Sequence, residues 1–286
     1  MAADGTRTTL PLDVTGATPY RGGFLVTVTG PDLGPRVVLL DSDLREVWRR
    51  CGQGAFAVSE DGNRTAYDTA DCDSSVSTMR LDLSDEAPGG ADPLLRDQAE
   101  QVPVEQGIPV GIIGDTVVAR SLPGARSLVV DFDGGPEQIT TLGQAAGSSE
   151  GRRLVSGQLA GHPSTGAVID ADSGAVLWDR PGWVLADFSP DGSMVLGTRT
   201  GRSGPVGSGV FDARTGELIH EFGQLADFES QQPVWEDDQH LLAVTTQGSA
   251  QAILRTTLDG AVERATETAP YDEDSLHLGL GLAPRP

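Results

Sequence analysis

The chain contains no lysine. All 20 basic side chains are arginine, against 42 acidic ones, giving a formal charge of −22 over 286 residues. Phosphate-loop enzymes, Schiff-base chemistry and the kinase or Ser-x-x-Lys sites all need a lysine at the reacting position, so none can exist here. Positive charge is scarce as a whole, and the sequence pI is near 4.3. Nucleic acid, whose phosphates need a basic footprint, is therefore excluded as a partner. So is an electrostatic grip on an anionic membrane. A GC-rich coding preference for arginine, or a salt-adapted surface, explains the missing lysine without any function. Long apolar runs are also missing: no stretch reaches 18 consecutive apolar residues, so this chain has no transmembrane helix. The N-terminus, MAADGTRTTL, shows no basic stretch followed by an apolar one, so no signal peptide is visible. Ala2-Ala3-Asp4 suits the start of a mature chain behind a small-residue cleavage site, which is compatible with a leader or anchor upstream. A cytosolic start is the competing expectation.

Cysteine is nearly absent too. Cys51 and Cys72 are the only two, with 20 residues between them. No C-x-x-C or Cys/His spacing exists, so zinc is not expected. Joined, the pair would close a loop worth about 3 kcal/mol of chain entropy and would imply an oxidising compartment. Two unpaired buried thiols in a cytosolic core are the alternative. A Cys51–Cys72 disulfide and an extracytoplasmic location are the expectation; a cytoplasmic location is its alternative.

What the chain has in quantity is glycine (37), proline (18) and repetition. Six segments share one plan of four short strands joined by polar turns. The second strands begin near Phe24, Arg64, Asp115, Arg152, Ser193 and Leu241, a mean interval of about 43 residues, within the range of propeller blades. SEDGN (59–63), SSEGR (148–152), SPDGS (189–193) and WEDDQ (235–239) occupy the first turn of a repeat. Asp, Gly and Pro there make tight hairpins. The second hairpin recurs more clearly: VIDADSGAVLWDRPG (168–182) aligns with VFDARTGELIHEFGQ (210–224), and VLLDSDLREVWRRCG (38–52) aligns with one deletion. Weaker versions are ILRTTLDGAVERATE (253–267) and LVVDFDGGPEQITTL (128–142). Glycine in that turn tolerates the left-handed backbone.

DADSGAVLW and DARTGELIH resemble the D-x-x-T/S-G-x-x-x-W segment of bacterial PQQ-like propeller repeats. FSPDGSMVL (188–196) resembles the S-P-D-G hairpin of WD40-like and TolB-like repeats. The pattern covers about residues 15–267. The resemblance implies an all-β fold, a β-propeller of four-stranded antiparallel blades, as a single domain over 1–286. Six blades are expected, with TTLPLDV (8–14) or SLHLGLGL (275–282), or both, closing the ring; a seventh, composite blade is the alternative. The motifs specify blades and carry no functional residue. A quinone-using relative needs about eight blades, so no cofactor is expected. Placed on the repeats, Cys51 follows the fourth strand of blade one and Cys72 follows the second strand of blade two, which suits a staple between blades.

Several constellations compete with that reading. GSSEG (147–151) matches the G-x-S-x-G nucleophile elbow, but that motif needs a strand-turn-helix setting, and Ser149 sits in a hairpin slot. No two of His162, His220, His240 and His277 are four apart, so no helical metal pair arises. His220 takes the repeat position of Trp178, where aromatics pack between blades, as Trp48 does. The D-x-D pairs Asp41/Asp43, Asp71/Asp73, Asp131/Asp133 and Asp170/Asp172 read as turn formers, since no D-x-D-x-D-G calcium loop is present. GRSGPVGSG (201–209) reads as a loop between second and third strands. The expectation is therefore a non-catalytic, extracytoplasmic module that recognises or scaffolds another protein, without catalytic, metal or cofactor residues. A propeller hydrolase or lyase working at one mouth of the central channel is the alternative.

Overall fold

The computed structural model describes residues 13–29, 36–51, 56–62, 64–70, 77–82, 101–102, 107–121, 126–131, 135–201, 204–223, 229–230, 233–247, 250–265 and 269–270. Every regular element among them is a strand. Sheet 1 runs Asp13–Tyr20, Gly23–Thr29, Arg36–Leu40 and Glu46–Cys51. Sheet 2 runs Phe56–Val58, Thr65–Ala70, Ser77–Asp82 and Gln101–Val102. Sheet 3 runs Gly107–Ile113, Thr116–Ser121, Arg126–Asp131 and Gly135–Ile139. Sheet 4 runs Leu142–Ser149, Leu154–Leu159, Thr165–Asp170 and Val176–Pro181. Sheet 5 runs Trp183–Phe188, Met194–Gly201, Gly204–Asp212 and Leu218–Gly223. In sheet 6, His240–Gln247 pairs with Ala250–Thr257; Glu229–Ser230 and Val234–Trp235 flank one side, and Val262–Arg264 and Ala269–Pro270 the other. Within each sheet the strands are antiparallel and follow chain order, and one parallel pairing, Thr165 with Trp183, joins sheets 4 and 5. The second strands start within two residues of the positions expected from the repeat.

Local chemistry explains the hairpins. In sheets 2 and 5 the first turn is wired identically. The hydroxyls of Ser59 and Ser189 donate to Asp61 and Asp191 and accept from the amides of Arg64 and Met194. Gly62 and Gly192 take the left-handed position at φ 70° and 69°. In the second hairpin of sheets 4 and 5, Asp170 and Asp212 each accept from a backbone amide and a hydroxyl three residues on, at Ser173 and Thr215. Such Asx turns let one carboxylate satisfy a whole turn. Sheet 1 has the deletion, and there Leu44 holds the left-handed position at φ 62°.

Neighbouring sheets pack face to face through separate apolar clusters. Tyr20, Trp48 and Tyr67 join sheets 1 and 2; Ala57, Ile112 and Val117 join 2 and 3. Ile113, Val155 and Ile169 join 3 and 4; Val168, Trp183 and Phe211 join 4 and 5; Leu196, Trp235 and Leu241 join 5 and 6. This serial stacking is the arrangement of propeller blades. Residues 8–12 and 275–282, expected to help close the ring, lie outside the described residues.

One expectation is overturned. GRSGPVGSG is not a loop: Gly204–Asp212 is a strand paired on both sides. Gly209 is there for packing. A Cβ on Gly209 would lie 2.8 Å from the Trp183 ring, so the indole occupies the space a side chain would need.

Candidate functional site

The first and second hairpins of a sheet project to the same end, since each sheet is a simple meander. Ala171 N–H donates to Arg153 O and Ala213 N–H to Ser193 O, tying the two hairpins together in sheets 4 and 5. The first hairpins converge there and form one mouth of the assembly. Arg21 N–H donates to Gly62 O, linking sheets 1 and 2. Sheets 2 and 4 meet directly across sheet 3. Glu60 accepts from the amides of Glu150 and Gly151 at 2.8 and 3.0 Å, and Glu150 accepts in return from the amides of Glu60 and Gly114 at 3.2 and 3.0 Å. Arg64 reaches from sheet 2 to Glu150 and to Gly114 O. Asp191 N–H donates to Asp238 Oδ1 at 2.8 Å, linking sheets 5 and 6.

Polar groups from several sheets thus meet at one mouth, and they are bonded to one another. Arg64 and Glu150 keep only 17% and 18% of their side-chain surfaces in solvent. Burial alone would raise the Asp191 carboxyl, but the Ser193 amide and the Ser193 and Ser189 hydroxyls hold it below the ordinary range. Among the described residues no group of three or more His, Cys, Asp or Glu is placed to hold a metal ion. Ser149 is buried in the first hairpin of sheet 4, where its hydroxyl donates to Glu60 at 3.3 Å. That turn differs from the sheet 2 and 5 turns: its left-handed residue is Arg153, not Gly151.

Among the described carboxylates, Asp187 is the one pushed far above its ordinary value. It lies in the first strand of sheet 5, half-buried, and burial raises its carboxyl to about 7. Only the Phe188 amide counters this, donating to Oδ1 at 2.9 Å. The carboxyl is pressed against sheet 4: a Cβ on Gly147 would sit 2.8 Å from Oδ1. No feature of the sequence marked it, because its neighbours DFSPDG read as another turn acid.

The remaining sequence candidates fall in structural positions. Trp178 donates from Nε1 to Ala213 O at 2.9 Å and lies over Gly216 of the next sheet; His220 lies over Gly260 in the same way. Both pack between sheets, as the repeat implied. His240 opens the second strand of sheet 6 and meets Asp237 at 2.8 Å. His162 is exposed in a turn. Asp41 accepts from the amides of Asp43 and Arg45, a turn role. Cys51 ends the fourth strand of sheet 1, half-buried. Cys72, His277, Asp71, Asp73 and Asp133 lie outside the described residues.

Exposed large apolar side chains have a different distribution. Of the seven among the described residues, only Phe24 is elsewhere; Val47, Val176, Leu177, Leu218, Ile219 and Val262 are all on fourth strands, at the rim.

No protein-family model and no curated protein matches the chain. Solved structures do. The Cps50 (Swd1) β-propeller domain of Myceliophteria thermophila shares 10% identity at a TM-score of 0.62, over 92% of this chain and 88% of that one. The WD40 domain of Toxoplasma gondii coronin shares 9% at 0.55, over 92% and 72%. A putative TolB from Agrobacterium tumefaciens shares 16% at 0.50, over 77% and 83%. The fold is therefore a β-propeller of the WD40-like and TolB-like kind.

Proposed function

We propose that this propeller is a non-catalytic module that recognises or scaffolds another protein, working outside the cytoplasm. The observation that carries the reading is the placement of exposed apolar surface: Val176, Leu177, Leu218, Ile219 and Val262, on the fourth strands of the consecutive sheets 4, 5 and 6, are 39 to 50% exposed. Apolar surface repeated along neighbouring sheet edges suits a contact site. The mouth, where a propeller enzyme would gather its reacting groups, holds hairpins whose carboxylates and arginine are bonded to one another. The test is affinity capture from the native host with the purified domain, followed by binding of the identified protein in purified form. Saturable binding of one defined protein is expected; no protein that binds in purified form would overturn the reading.

The compartment rests on a Cys51–Cys72 bond, supported by the absence of free cysteine among the described residues. Intact mass with and without reductant should differ by about two protons. Two free thiols in native protein would remove the case for export. Closure of one ring by the chain ends is supported by the outer face of sheet 1. There Val26, Val28, Val38 and Leu40 are at most 4% exposed in a cluster that draws on no other described sheet.

The alternative, a hydrolase or lyase at the channel, has Asp187 in its favour, since a carboxyl near pKa 7 suits general acid–base work. Asp187→Asn should leave partner binding intact; loss of a hydrolytic activity toward a defined substrate would favour the alternative.

A further inference from the structure

The fourth strands of sheets 1, 4 and 5 share one irregularity. In sheet 1, Leu39 pairs with Trp48 and Leu40 with Glu46, so Val47 is an extra residue. In sheet 4, Val168 pairs with Trp178 and Ile169 with Val176, leaving Leu177. In sheet 5, Val210 pairs with His220 and Phe211 with Leu218, leaving Ile219. Each extra residue is a β-bulge, and each is a large aliphatic, 41 to 46% exposed. A bulge protects an open edge from pairing with another strand. That protection works with a polar residue, and a polar one would lower the exposed apolar area. An aliphatic at all three positions needs another reason.

In sheets 4 and 5 the bulges are held in fixed relation. Trp178 and Arg180 on the sheet 4 edge bond to Ala213 O and Gly216 O beneath the sheet 5 edge. Two hydrogen bonds thus tie the strand that carries Val176 and Leu177 to the turn that leads into Leu218 and Ile219. The charges beside them are unbalanced. Arg153 is held by Asp172 and Arg199 by Glu221. Arg180 is turned inward, onto Gly216 O and over the Phe211 ring. Among the described residues of this edge, exposed Asp179 and Glu217 make no ion pair, and exposed Arg214 is the one cation left against them. An apolar step rimmed by unpaired acid fits a complementary surface that is apolar at its centre and basic at its edge. A second copy of this chain would bring the same acid to the contact, on top of a charge of −22.

We infer that the outer strands of sheets 4 and 5 are the docking surface for a basic, amphipathic protein segment, seated on Val176, Leu177, Leu218 and Ile219 and oriented by Asp179 and Glu217. This rests on the recognition reading above and names its surface and the chemistry of its partner.

The test uses the full chain and two defined helical peptides that share one leucine face, with lysine in one and glutamate in the other on the polar face. The wild-type chain should bind the lysine peptide at least tenfold more tightly, and salt should weaken that binding. Leu177→Asp/Ile219→Asp should lose at least tenfold in affinity with an unchanged melting temperature. The variant adds negative charge, so a non-specific attraction of opposite charges would strengthen instead. Asp179→Asn/Glu217→Gln should flatten the salt dependence, and Val47→Asp on sheet 1 should change nothing. Equal binding by the double variant, or no preference for lysine, overturns the inference. The recognition reading then still stands if host capture yields a binding protein. Concentration-dependent dimers in sedimentation, abolished by Leu177→Asp/Ile219→Asp, would make a second copy the occupant and also overturn it.

Discussion

The inner mouth and the outer rim of this propeller are built on opposite rules. At the mouth, charged side chains from sheets 2, 3 and 4 converge and satisfy one another. Glu60 and Glu150 exchange backbone amides, and Arg64 closes the group. At the rim of sheets 4 and 5, aliphatic side chains are pushed outward by bulges and have no neighbour on one side. The difference shows that convergence of polar groups is no sign of chemistry when every group has a partner. A contiguous apolar patch in solvent, by contrast, is surface that a partner would gain by burying. On the proposed reading, the mouth ties the sheets together and the rim is left for a partner.

That contrast can be broken at either end. The largest effect is expected under the rim. Phe211 is 1% exposed, with its ring 4.9 Å from Trp183 and 5.8 Å from Trp178. Phe211→Ala should lower unfolding free energy in urea by about 4 kcal/mol and loosen the base on which the rim stands. Next is the mouth. Arg64→Ala leaves Glu150 largely buried without its cation, and a loss of about 3 kcal/mol is expected, with partner binding below the unfolding transition unchanged. A loss under about 0.5 kcal/mol would mean the mouth does not hold the sheets.

Asp187 sharpens the comparison, because its half-buried carboxyl lies near the mouth without a counter-charge. Its carboxyl is raised in the folded state, to about 7. Between the unfolded value and 7, the folded chain holds a proton that the unfolded chain has released. Stability is therefore fullest at acidic pH and declines as pH rises toward 7, then stays level. Asp187→Asn should remove this slope and stabilise the protein by about 2 kcal/mol at pH 8, with little change at pH 4. Urea titrations at the two pH values decide it; a slope that persists in the variant would mean another group is responsible. The smallest stability effect is predicted for Leu177→Asp/Ile219→Asp, within about 0.5 kcal/mol, although its effect on binding is the largest.

The blade plan was legible in the sequence because it is local. Ser, Asp and Gly at 59–62 and 189–192 make the same turn wherever they occur, and hairpin spacing repeats with them. Trp178 and His220 could be matched because they follow aligned turns. What stayed hidden depends on distance or on the neighbour's shape. Glu60 and Glu150 are 90 residues apart in chain and meet only because their hairpins converge. Gly209 lies in what looked like a flexible run, yet the Trp183 ring fills the space its side chain would need. Leu177 and Ile219 read as ordinary strand residues, since a bulge is a property of pairing and not of composition.

The most direct test of the division between a structural mouth and a binding rim measures two quantities on two variants. Affinity for the leucine–lysine peptide and unfolding free energy would be determined for Arg64→Ala and for Leu177→Asp/Ile219→Asp. The expected result is a crossed pattern: Arg64→Ala loses stability and keeps affinity, while Leu177→Asp/Ile219→Asp keeps stability and loses affinity at least tenfold. Full affinity in Leu177→Asp/Ile219→Asp together with lost affinity in folded Arg64→Ala would contradict it and place binding at the mouth.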